Sequence, residues 1–271
     1  MILPRWFYQL NRVKWVAIIL VSIMRLFFIR HGQSENNALW VNTQSSLDRV
    51  SDPRLTETGK KQVKAAADYL KKLFNSDNHD LADPSIAFQG EVIHIYCSLM
   101  ERAIESGLII ANKLSLPLHG HLDIHENGGL YLEDPLSAAR MGEAGKSPDA
   151  FKKKYPDLIL PDGINPEGWW SRPFEERETR RERAKKVVDD LIKRYGNSAA
   201  TVIFISHVGF YNYFLRAILE LKDVTEIWFD LNNAAITLFE INEGLIKLVY
   251  CNRSDFMLKD LVSLNDCPSG P

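Results

Sequence analysis

Arg30-His31-Gly32-Gln33-Ser34-Glu35-Asn36-Asn37 follows directly on the apolar run Leu26-Phe27-Phe28-Ile29. The chain passes there from strand-forming residues to a cation, an imidazole and a glycine. Two later segments have the same form. Val92-Ile93-His94-Ile95-Tyr96 runs into Cys97-Ser98, with Arg102 just beyond, and Val202-Ile203-Phe204-Ile205 runs into Ser206-His207. Each is followed by a helical pattern, so an α/β fold is expected. Ligands of open α/β sheets bind outside the carboxyl ends of the strands. Arg30, His31, Arg102 and His207 are therefore expected to converge on one site.

Outward from these segments, the chain of 271 residues allows one large α/β domain or two small ones. Its 45% hydrophobic and 25% charged residues are those of an ordinary soluble globular protein. A formal net charge of -2 argues against a general nucleic-acid binder. Cys97, Cys251 and Cys267 show neither metal-ligand spacing nor an even disulfide framework, so a reducing compartment, the cytoplasm, is expected.

At the N-terminus, Arg5, Arg12 and Lys14 precede the apolar run Trp15-Val16-Ala17-Ile18-Ile19-Leu20-Val21. This resembles the charged and apolar parts of a signal peptide, but no small-residue cleavage site follows. Ser22 and Arg25 interrupt the run short of the roughly 18 residues a membrane span needs. Residues 1–23 are expected to be a non-catalytic extension upstream of Met24, with membrane association as the alternative. The main domain is expected over residues 24–260, with a frayed tail over 261–271.

Thr56 is a good N-cap, and Val63, Ala66, Ala67, Leu70, Leu73 and Phe74 give an amphipathic helix over 57–74. Ser98 and Glu101 have capping-box spacing and open a helix reaching about Leu114. From His125 to Arg172 glycines and prolines break all periodicity, apart from a short helix signalled by Ser147-Pro148. So long a segment reads as a cap insertion, at about 131–171, with Tyr131, Trp169, Trp170 and Phe174 to line or brace the site. Residues 174–195 return to helix, and the run from Glu175 to Arg183 reads as a solvated charged face. Lys146 and Arg172 are candidates for holding a distal anionic group. After the third strand and a helix beyond Gly209, Ala235–Ile241 and Leu245–Tyr250 read as a hairpin joined by Asn242-Glu243-Gly244.

Beside His31, Arg30 offers charge, Ser34 and Asn37 offer hydrogen bonds, and Gly32 would let backbone approach a ligand closely. That combination suits phosphate. It also resembles the signature of the histidine phosphatase superfamily, the phosphoglycerate mutase-like proteins. Leu55-Thr56-Glu57-Thr58-Gly59 with Gln62 resembles the family's second element, Ser98 with Arg102-Ala103 its third, and Ser206-His207 its last. The four occur in the family's order, over about residues 24–250. The resemblance implies a three-layer α/β/α fold with a mostly parallel sheet.

Phosphoryl transfer is mainly positioning and electrostatic stabilisation. Arg30 and Arg102 would clamp phosphate oxygens. His31 would attack and become phosphohistidine, His207 would donate to a phosphate oxygen, and Asn37 would add a further hydrogen bond. The arginines and histidines supply the positive charge, so no metal or other cofactor is expected. The family's acid falls between its third element and a glycine. Glu126, in His125-Glu126-Asn127-Gly128-Gly129, is the best match, with Asp123 and Glu133 as alternatives. One departure is that the family usually places glycine directly after the last histidine, whereas Val208 stands here before Gly209.

The implied function is a metal-independent phosphomonoesterase acting on a small phosphorylated substrate. A phosphoglycerate mutase is the alternative. Mutases carry arginine-rich elements after the acid, where this chain has Leu132-Glu133-Asp134, which favours hydrolysis. A non-catalytic phospho-ligand binder is the reading from another class, and the joint presence of Arg30, His31, Arg102 and His207 counts against it.

Overall fold

The computed structural model describes residues 22–45, 48–75, 92–134, 136–137, 139–222 and 227–263. The N-terminal extension up to residue 21, Cys267 and most of the tail lie outside them. The elements run β1 (Met24–Arg30), α1 (Glu35–Thr43), α2 (Glu57–Asn75), β2 (Ile93–Ser98), α3 (Glu101–Leu114), β3 (Leu118–His121), β4 (Tyr131–Glu133), β5 (Arg140–Gly142), α4 (Pro148–Lys154), β6 (Leu158–Ile159), α5 (Arg177–Tyr195), β7 (Thr201–Ser206), α6 (Val208–Ile218), β8 (Ile236–Asn242) and β9 (Leu245–Arg253).

A seven-stranded sheet is ordered β6-β3-β2-β7-β1-β8-β9. Strands β6 through β1 pair in parallel, and β8 and β9 close one edge antiparallel. Every residue of β1 is buried. Alternate side chains go to opposite faces, as the pleat requires. Phe27 and Ile29 join a core with α2 and α3, while Met24, Leu26 and Phe28 join one with α5 and α6. Phe28 sits among Phe210, Tyr211 and Phe214, with centroids 5.0 to 6.3 Å away. These two helix layers on one sheet give the expected three-layer α/β/α architecture.

Several local readings change. Helix α3 does not use the expected capping box. Its N-cap is Met100, and the Glu101 N–H is met at 2.8 Å by Asp52 Oδ1 from a distant loop. Ser98 Oγ instead accepts from the Met100 N–H. Glu101 is drawn away because its carboxylate is buried between Lys146 and Lys154. The 131–171 stretch is not all irregular. It forms the β4–β5 hairpin, α4 with Ser147 as N-cap, and the edge strand β6. No helix among the described residues is long and apolar enough to cross a membrane.

Candidate active site

The β1–β7 ladder pairs Arg30 with Ser206. His31 and His207 are the next residues on these neighbouring strands, and their ring centroids lie 5.1 Å apart. The His31 N–H continues the ladder to the Ser206 carbonyl at 2.9 Å. β2 flanks β7 on its other side and feeds α3, whose first turn delivers Arg102. Three strand ends thus bring Arg30, His31, Arg102 and His207 together, all buried and all but His207 lining one cavity.

Two neighbours fix the tautomer of His31. Its Nδ1 lies 2.6 Å from the Gly32 carbonyl, which only accepts, so Nδ1 carries the hydrogen. Arg102 Nε donates to His31 Nε2 at 3.1 Å, so Nε2 holds the lone pair. Burial, then the charges of Arg102 and Arg30, push the His31 pKa well below its ordinary value. The ring is therefore neutral, with a nucleophilic Nε2. His207 is also fully buried, and neither ring nitrogen has a hydrogen-bond partner among the described residues. Burial first, then Arg102, lowers its pKa too. A neutral imidazole must carry one N–H, so His207 keeps a buried donor unspent beside His31.

Gly32 has a different job from the one expected. A Cβ there would collide with the Gly59 carbonyl, and a Cβ on Gly59 with the Gln33 carbonyl. The close approach is backbone to backbone, between the His31 loop and the start of α2. Gln62 Oε1 accepts from the Gln33 N–H at 2.8 Å and completes the seam. The Gly32 N–H goes to Ser106 Oγ at 3.1 Å, and that hydroxyl donates to the Arg102 carbonyl at 2.7 Å, which ties the histidine loop to the arginine helix.

Arg30 Nη1 donates to the Leu231 carbonyl at 2.6 Å. Asn37 lines the cavity, and its Oδ1 accepts from the Ser34 N–H and hydroxyl in a capping box at the start of α1. Asn233, which the sequence reading missed, is fully buried and donates through Nδ2 to the His31 carbonyl at 3.2 Å. An Asn232-Asn233 pair just ahead of an apolar strand was the available signal.

Glu126 lines the cavity, whereas Asp123 and Glu133 do not and are paired with Lys186 and Arg140. The Glu126 carboxylate sits over the first turn of α6. It accepts from the N–H groups of Asn127, Gly209 and Phe210 at 2.8, 3.3 and 3.0 Å. A Cβ on Gly209 would run into Glu126 Oε1. Glycine two places after His207, rather than one, is what this carboxylate needs.

The loop before Glu126 is braced by Arg183, which donates to the carbonyls of Asp123 and His125 at 2.8 and 3.0 Å. Glu175 meets the same guanidinium with both oxygens at 2.6 Å. Both side chains are about 5% exposed, so this part of the charged run is a buried ion pair, not a solvated face. Lys146 and Arg172 do not line the cavity. Lys146 pairs with Asp52 and Glu101, and Arg172 lies over Trp170 at 4.5 Å. Trp169 and Trp170 are buried against His125, while Tyr131 and Phe174 line the cavity.

A model of the histidine phosphatase superfamily (branch 1) matches residues 26–254. The chain belongs to that superfamily. A phosphoserine phosphatase variant of Entamoeba histolytica, solved in complex with phosphoserine, superposes with a TM-score of 0.54 at 20% identity, covering 87% of this chain and 100% of that one. A mycobacterial glucosyl-3-phosphoglycerate phosphatase superposes with a TM-score of 0.52 at 18% identity, covering 86% of this chain and 100% of that one. At these identities the likeness shows a shared fold. A search of curated proteins finds no match. The histidine phosphatase match spans all four sequence elements, from Arg30 to His207.

The cavity measures about 610 Å³. It is richer in cation than the local sequence suggests. Besides Arg30 and Arg102, it is lined by Arg49, Arg140, Arg177, Arg180 and Arg216, against Glu126 as the carboxylate. The acidic Leu132-Glu133-Asp134 therefore says little about the cavity, because all of its cations but Arg140 arrive from other segments. Among the described residues, no group of three or more His, Cys, Asp or Glu is placed to hold a metal ion.

Proposed function

We propose that this histidine phosphatase is a metal-independent phosphomonoesterase acting through a phosphohistidine on a small phosphorylated substrate. The observation that carries the reading is His31, neutral and oriented with Nε2 facing Arg102. Arg30, Arg102 and His207 bind the phosphoryl oxygens, and Asn37 adds a hydrogen bond from α1. The incoming phosphate draws Arg102 off Nε2 and frees the lone pair. The Nε2–P bond forms as the P–O ester bond breaks, and Glu126, which enters this step protonated, gives its proton to the leaving oxygen. Water then attacks phosphorus, returns a proton to Glu126, and the Nε2–P bond breaks. The three cysteines of the sequence make no even disulfide set, which supports a reducing, cytoplasmic setting.

The test is phosphate release from an aryl phosphate in the presence of a chelator, with trapping of an acid-labile phosphoenzyme. Turnover with a phosphoenzyme that disappears in His31→Ala is the expected result. No turnover by the parent protein would sink the reading. A mutase is the second reading, which the arginine-rich cavity favours because a mutase must also hold the substrate's carboxylate. Interconversion of phosphoglycerate isomers faster than phosphate release would select it.

A further inference from the structure

We propose that the cavity holds a second anion subsite, formed by Arg49, Arg140 and Arg180 around Tyr131 and Phe174, so that the substrate is a phosphate ester carrying another phosphate or carboxylate. The proposal rests on the phosphatase reading and deepens it. One phosphoryl group is accounted for by Arg30, Arg102 and the histidine pair, which leaves Arg49, Arg140 and Arg180 beyond the phosphoryl clamp.

The geometry concentrates that charge. Tyr131 and Phe174 meet edge to face, with centroids 4.8 Å apart. Arg49 lies over the Tyr131 ring at 4.5 Å, and Arg140 and Arg180 lie over the Phe174 ring at 4.8 and 5.2 Å. Ring faces hold guanidiniums in place without neutralising them. The hydrogen-bond partners of two of these arginines carry no charge. Arg49 Nη1 donates to the Tyr131 hydroxyl at 3.0 Å, and its buried Nε has no hydrogen-bond partner among the described residues. Arg180 donates through Nε and Nη2 to the Glu175 carbonyl, while the Glu175 carboxylate is committed to Arg183. Among the described residues Arg140 alone of the three is offset, by Glu133 at 3.1 Å. Arg49, Arg140 and Arg180 line the same cavity as Arg30 and Arg102, so this cluster and the phosphoryl clamp face one ligand space.

Like charges gathered on an aromatic pair repel one another, and a bound anion relieves that repulsion. Guanidiniums bind phosphate and carboxylate in the same forked geometry. A cavity of about 610 Å³ has room for a metabolite bearing both groups.

The experiment compares kcat/KM for glycerol phosphate, phosphoglycerate and a hexose bisphosphate in the parent protein and in an Arg49→Gln/Arg180→Gln double variant. The two esters with a second anion should exceed glycerol phosphate by about tenfold or more, mainly through KM, and the double variant should shrink that ratio about tenfold. Phosphoglycerate and the bisphosphate distinguish a carboxylate from a phosphate as the second group. Equal kcat/KM for all three, or equal losses in the variant, overturns the subsite. A binding arm stands apart from catalysis. Calorimetry on His31→Ala should show pyrophosphate binding tighter than inorganic phosphate, an advantage lost when the two arginine substitutions are added. If no ester is hydrolysed, the phosphatase reading falls, and pyrophosphate binding still decides the subsite.

Discussion

Arg102 Nε donates to His31 Nε2, the very lone pair that attack on phosphorus requires. The resting site is therefore self-capped. In the proposed mechanism the arginine that clamps phosphate also holds the nucleophile until phosphate arrives. Arg102→Ala should lower kcat/KM for an aryl phosphate by about a hundredfold or more, as loss of a transition-state donor does. Arg102→Lys should recover little, because an ammonium cannot reproduce the fork. Steady-state kinetics on both variants checks this, and near-parental activity in Arg102→Lys would contradict it.

Three buried histidines should make stability fall in acid. Burial is the largest cause in lowering the pKa of His31, His125 and His207 well below the ordinary value. Each is neutral in the folded protein but takes up a proton in the unfolded chain below about pH 6.5. Their contribution is full above that pH. Each can withdraw up to about 1.4 kcal/mol per further pH unit until its lowered folded pKa is reached. Urea unfolding between neutral pH and pH about 5 reads the slope. A midpoint insensitive to pH over that window would contradict it.

Removing one partner of the Glu175–Arg183 pair leaves a charge stranded. Glu175→Ala should cost about 3–5 kcal/mol, whereas an exposed pair is worth about 1 kcal/mol or less. The loss should reach the site as well, since Arg183 holds the carbonyls on either side of Ile124, just ahead of Glu126. Thermal melts and kcat on the same variant test both halves. A change within about 0.5 kcal/mol would show that the pair is not braced as described.

Gly209→Ala separates positioning from folding. Alanine is the better helix former, so the helix should not weaken. The added methyl displaces Glu126 Oε1, and kcat for poor leaving groups should drop about tenfold or more if that carboxylate is the acid. Activated aryl esters, whose leaving groups need no proton, should suffer less. Equal losses for both ester types would argue against Glu126 as the proton donor.

The sheet and the convergence of Arg30, His31, Arg102 and His207 were readable because their determinants are local. Apolar runs ending in His31, Ser98 and His207 announce strands and their ends, and order does the rest. What stayed hidden depends on the return of distant segments. Asp52 capping α3, Gly59 under Gly32 and Asn233 on the His31 carbonyl each join residues far apart in the chain. The buried fate of Glu175 and Arg183 was invisible for the same reason. A run of mixed charges looks solvated until one pair within it finds carbonyls to hold. The arginines of the cavity were likewise scattered over six segments.

The Arg30–Ser206 pairing has a consequence for how such a protein can change. The distance between the two histidines is measured off by a hydrogen-bond ladder, not by any loop. Loops around the cavity, including the hairpin that brings Tyr131 and Arg140, can be lengthened, shortened or exchanged without altering that distance. A single-residue insertion inside β1 or β7 would turn alternate side chains to the wrong face and part the pair at once. Reaction chemistry and ligand choice are thus free to vary at separate rates, the first bound to strand register and the second to the peripheral segments.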